Sequence, residues 1–117
     1  MSGPGWIGVD LDGTLAVWGV EGTPGNGFIG PPVPLMLVRV NQWLAAGRRV
    51  KIYTARANYP YQIPLIKVWL EKHGIGGLEI TCSKDWDMDV LYDDRAVQVE
   101  ENTGRLIGDP RCIKEKS

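Results

Sequence analysis

Apolar positions along the chain alternate between short unbroken runs and longer stretches with a three-to-four-residue repeat. Residues 6–9 read Trp-Ile-Gly-Val between glycine-containing segments, and a short apolar run with such borders predicts a buried strand. Over 34–47, Leu37, Val40 and Leu44, with Trp43 beside them, recur at helical spacing. Proline opens that stretch and glycine closes it, which predicts an amphipathic helix. "RVKIYT" at 49–54 returns to a strand pattern. A second helix is predicted over 61–74, with Pro64 tolerated in its first turn and Leu65, Ile66, Trp69 and Leu70 facing the core. "LEITC" at 78–82 and "DVLYDD" at 89–94 predict two further strands, the last ending in carboxylates. Residues 96–99 and 105–107 around Asn102-Thr103-Gly104 predict a hairpin, and 109–117 an irregular tail.

Residues 16–33 break both rhythms. "AVWGVEGTPGNGFIGPPV" is rich in glycine and proline and carries no sustained period, so a long loop or flap is expected. No Gly-Lys-Ser/Thr follows Gly22–Gly27, which argues against a nucleotide P-loop. Strand, helix, strand, helix, strand, strand predicts an α/β fold with a mainly parallel central sheet flanked by helices. At 117 residues the chain is expected to form a single domain, 1–117.

Charge changes this picture little. The formal net charge is -1, without the electrostatic footprint of a general nucleic-acid binder. Arg48, Arg49 and Lys51 are expected to be a solvated start of a strand. Cys82 and Cys112 form no CxxC and no Cys/His cluster, so neither a disulfide scaffold nor a zinc site is expected. Cys82 is expected to pack as a small core residue, and His73, before Gly74, to cap a helix end. No leader-like segment opens the chain and no apolar run approaches a membrane span. A cytoplasmic, reducing setting is expected, with no membrane partner.

Candidate chemistry gathers at the strand ends. In open α/β sheets, ligands bind beyond the carboxyl ends of the strands. Those ends carry Asp10 and Asp12, then Thr54, Ala55 and Arg56, then Ser83 and Lys84, then Asp93 and Asp94. Four neighbouring carboxylates cannot all stay ionised without a cation. A hard, oxygen-preferring ion such as Mg²⁺ suits them and recruits phosphate oxygens. Thr54 can donate to a phosphate, and Lys84 can neutralise both phosphate and a nucleophilic carboxylate. Arg56 can bind substrate or pair with a carboxylate. Trp18 and Trp86 are either packing residues or rings that stack on a substrate.

"DLDGTL" at 10–15, "IYTAR" at 52–56, "SKD" at 83–85 and "LYDDR" at 91–95 stand in this order along the chain. Together they resemble the four motifs of the haloacid dehalogenase superfamily of aspartate-nucleophile phosphatases. The resemblance implies a Rossmann-like core and a phosphomonoester hydrolase. Asp10 would be nucleophile and metal ligand. Asp12 would be general acid/base and would bind metal through its backbone carbonyl. Thr54, Ala55, Arg56 and Lys84 would lie on the phosphate and substrate side. Asp93 and Asp94 would complete a Mg²⁺ site, and Gly13 would allow a tight turn beside the phosphate.

Neither gap between motifs is long enough for the cap domain that many members carry, so a capless, open site is expected. Such a site suits a nucleic-acid end, a nucleotide, a phosphoprotein or a small sugar phosphate, with nucleic acid entering only as substrate. A homo-oligomer is compatible with it, since a second subunit would exclude water. Two other readings stay open: a non-catalytic module that binds Mg²⁺ or a phosphorylated partner, and a phosphotransferase with an acceptor other than water.

Overall fold

The computed structural model describes residues 5–19 and 27–108. The expected tail, 109–117, and the middle of the expected 16–33 loop lie outside the described residues. Strands β1 (Trp6–Val9), β2 (Val50–Tyr53), β3 (Glu79–Thr81) and β4 (Met88–Tyr92) form one sheet in the order β3-β2-β1-β4. Every pairing in it is parallel. All four residues of β1 are buried, because β1 is an inner strand covered on both faces. Helix α1 (Pro34–Ala45) joins β1 to β2, and α2 (Ile63–Lys72) joins β2 to β3. Beyond the sheet, β5 (Gln98–Val99) and β6 (Leu106–Ile107) make the expected hairpin.

The two helices share one face of the sheet. From β1 and β2 the buried cluster takes Ile7, Val9, Val50 and Ile52, which alternate onto the same side. Met36 and Val40 of α1 and Ile66, Trp69 and Leu70 of α2 belong to that cluster. Two right-handed crossovers stepping the same way across a sheet lead to this arrangement. Leu37, Trp43 and Leu44 are partly buried against the cluster, as the helical period predicts. Leu65 departs from its predicted core position. It is exposed, and its side chain lies against Gly27 of the loop, since a residue one step before Ile66 is rotated off the buried face. Cys82 is half-buried at the end of β3, with its sulfur 3.5 Å from Asn58 Oδ1, and does not enter the core.

The opposite face carries a buried charge. Lys51 is buried there, its Nζ 4.3 Å from the centre of the Trp6 ring. The connection from β3 to β4 supplies Asp85, which accepts from Trp6 Nε1 at 2.8 Å and stands 3.7 Å from Lys51 Nζ. Arg48 and Arg49 pair with Asp89 (2.7 Å) and Glu79 (3.1 Å). Of the cations expected to be a solvated strand start, Arg49 is solvated though ion-paired, Arg48 is half-buried and Lys51 is buried. His73 takes the predicted C-cap place on α2, followed by Gly74 at φ +79°. Among the described residues, no helix is long and apolar enough to cross a membrane.

Candidate metal centre and cleft

The parallel ladder delivers Asp10 beyond the end of β1, where its backbone N–H donates to the Tyr92 carbonyl at 2.9 Å. The chain then turns sharply. The Leu11 carbonyl accepts from the N–H groups of Leu15 (3.0 Å) and Ala16 (2.8 Å), and both Leu11 and Leu15 are buried as anchors. Gly13 holds φ +88°, and a Cβ there would stand 2.7 Å from an Asp94 carboxylate oxygen. Glycine is thus required twice, for the backbone and for the space. Thr14 holds the same acid: its Oγ1 donates to Asp94 Oδ1 (3.1 Å) and accepts from the Asp94 N–H (3.0 Å).

Asp93 and Asp94 follow β4 directly. Asp93 Oδ1 accepts from the Arg95 N–H at 2.8 Å. One carboxylate oxygen from each of Asp10, Asp93 and Asp94 lies within 4.8 Å of the others, so the group can hold a metal ion. Burial, and then the nearby Asp93 charge and a hydrogen bond with Asp94, push the Asp10 carboxyl up to about 7. Three oxygen donors repelling one another at this range fit a hard divalent cation.

The Asp12 carboxylate is engaged elsewhere. Arg56 Nε and Nη2 donate to its two oxygens, each at 2.8 Å. The same guanidinium donates to Gln62 Oε1 (3.0 Å) and to the Phe28 carbonyl (2.7 Å). Of the two roles open to Arg56, the structure shows the carboxylate pair, buried and bidentate. Thr54, also buried, ends β2 and caps a short 3₁₀ turn by accepting from the Arg56 N–H at 3.2 Å.

A cleft of about 750 Å³ opens at this edge of the sheet. Of the expected site residues it is lined by Asp10, Asp12, Thr54, Ala55, Arg56, Asp93 and Asp94. Lys84 is exposed and is not among the lining residues, and Trp86 is fully exposed. Trp18 does line the cleft, as do Tyr53, Tyr59, Tyr61, Gln62 and Arg95, which sequence reasoning did not single out. Tyr61 and Gln62 were expected inside a helix. They belong instead to a 3₁₀ turn, Pro60–Gln62, ahead of α2. The close pair Pro60 and Pro64 was the available signal, because a helix begun at 61 would need the N–H that Pro64 lacks.

Fold and site define an α/β protein with a parallel sheet and a metal-competent aspartate group at its carboxyl edge. No family model, curated protein or solved structure matches the chain.

Proposed function

We propose that the protein is a Mg²⁺-dependent phosphomonoester hydrolase that works through an aspartyl-phosphate on Asp10. The observation that carries this reading is the convergence of Asp10, Asp12, Thr54, Asp93 and Asp94 on one cleft at the carboxyl edge of the sheet. The order of the motifs, similar to the haloacid dehalogenase superfamily, supports it. Asp10, Asp93 and Asp94 would hold the ion, which when bound neutralises their charge and that of a phosphate. An Asp10 carboxylate oxygen attacks phosphorus, the bond to the ester oxygen breaks, and Asp12 gives that oxygen its proton. Water then attacks the phosphorus, Asp12 takes a water proton, and the bond to Asp10 breaks to release inorganic phosphate. Thr54 donates to the phosphoryl group. Arg95, on the cleft, and Lys84, from outside it, are the cations that would approach the phosphate.

One observation favours a non-catalytic binding module instead. Both Asp12 oxygens are held by Arg56, so at least one of these bonds has to open before Asp12 can serve the leaving oxygen. The deciding test is phosphate release from p-nitrophenyl phosphate, with and without Mg²⁺, in the wild type and in Asp10→Asn. Metal-dependent release that Asp10→Asn abolishes supports the hydrolase. Full activity in that variant sinks the nucleophile assignment. Phosphate-analogue binding without turnover across a broad ester panel favours the module, and a phosphorylated product other than inorganic phosphate reveals a phosphotransferase.

A further inference from the structure

We infer that the phosphomonoester taken by this cleft carries a nucleobase, as a free nucleoside monophosphate; this rests on the hydrolase reading above and names its substrate class. Besides Tyr53, three large rings line the cleft that holds the carboxylates: Trp18, Tyr59 and Tyr61. Each is more than half exposed, at 58%, 53% and 57%, so their rings are spent little on the core. The Tyr59 and Tyr61 rings lie 6.2 Å apart at 57° on the same cleft. A sugar can also lie against such a ring, but a flat base covers more of it and gains more by stacking.

The turn that bears the two tyrosines is held in place before any ligand arrives. Tyr59 N–H donates to the Arg56 carbonyl (3.0 Å), and Gln62 N–H to the Tyr59 carbonyl (2.9 Å). Gln62 is buried and accepts from Arg56, which grips Asp12. The aromatic wall and the proposed acid/base therefore share one scaffold, and a base seated on that wall fixes its own phosphate relative to Asp12. A volume of about 750 Å³ lies in the range of small-molecule sites. The net charge of -1 argues for a free nucleotide over a polynucleotide end, because polyanion binding rests on cationic surface. Hydrolysis is balanced by water: its oxygen joins phosphorus, the ester oxygen leaves with a proton, and nucleoside and inorganic phosphate result.

The test compares adenosine 5′-monophosphate with ribose 5-phosphate, the same ester without its base. With Mg²⁺ and wild-type protein, kcat/KM is expected to favour the nucleotide by about tenfold or more, within the span that base–aromatic stacking provides. In the double variant Tyr59→Leu/Tyr61→Leu that ratio is expected to fall to near one, and Tyr59→Phe/Tyr61→Phe should restore it. Tyr59→Leu alone, at a solvent-facing position, replaces the double variant if that one does not fold. Equal kcat/KM in the wild type, or a preference that survives loss of both rings, overturns the inference and leaves the hydrolase standing. Faster release from a 5′-phosphorylated oligonucleotide than from the mononucleotide also overturns it. If no ester is turned over, calorimetric titration with the same two compounds decides. Tighter binding of the nucleotide by tenfold upholds the base site, equal or absent binding overturns it, and phosphate release from p-nitrophenyl phosphate decides the hydrolase separately.

Discussion

Asp10 and Asp12 stand two residues apart and experience opposite surroundings. Asp10 faces two other carboxylates, whereas Asp12 is clasped by a guanidinium. Asp10 is raised from an ordinary value near 3.8 to about 7, so between those values the metal-free folded state binds more protons than the unfolded one. Its stability falls as pH rises through that window. Asp10→Asn is therefore expected to stabilise the metal-free protein at pH 8 by about 1–3 kcal/mol, the full shift being discounted for solvent screening. It should add almost nothing near pH 3.5, and urea denaturation at the two pH values checks the difference. For Arg56 the effect runs the other way. Arg56→Met leaves the Asp12 carboxylate without its cation and removes the hydrogen bond that Arg56 donates to Gln62 Oε1. A loss of about 2–4 kcal/mol is expected in the same assay. Arg56→Lys should recover only part of it, because an ammonium lacks the two-pronged fork.

The turn from 11 to 16 is the element on which the metal-competent group depends. It places Asp10, spaces Gly13 against Asp94 and holds that acid through Thr14. Gly13→Ala puts a Cβ into a carboxylate at a positive φ, with an expected cost of about 1–3 kcal/mol. Divalent-cation affinity should fall with it, and calorimetric titration with Mg²⁺ measures that loss. The helices show a different balance of local and distant causes. α1 begins at Pro34 as its sequence signals predict. α2 starts two residues later than expected, because Pro64 is tolerated only within the first turn. Leu70→Ala, fully buried, should cost about 2–5 kcal/mol, whereas Leu65→Ala, half-solvated beside Gly27, should cost under about 1 kcal/mol. Helical period alone made those two leucines equivalent.

At the scale of the molecule, cation binding to the group that could hold a metal ion would be linked to folding. A divalent ion that binds only the folded arrangement of Asp10, Asp93 and Asp94 raises the melting temperature in proportion to the logarithm of its concentration. Protons compete at Asp10, so Mg²⁺ should raise Tm more at pH 8 than at pH 5.5, and Asp10→Asn should remove most of the rise. A Mg²⁺-independent Tm at both pH values would count against the metal centre. Much of this site was legible in the linear chain. Strand runs, the glycine at 13 and the acids after β1 and β4 are local signals, and parallel pairing brings the carboxyl ends of strands to one edge. Asp10, Asp12, Thr54, Asp93 and Asp94 could be named on that basis. Other features depend on partners far apart in sequence. Arg56 grips Asp12 across 44 positions, and Asp94 meets Thr14 across 80. Both helices settle on one face, Lys84 stays off the cleft lining, and Tyr59 and Tyr61 turn onto it. Hydrophobic period and turn chemistry act over a few residues and set where strands and helices begin and end. Which side chains then meet is a matter of register and crossover direction, and no local pattern encodes those distances.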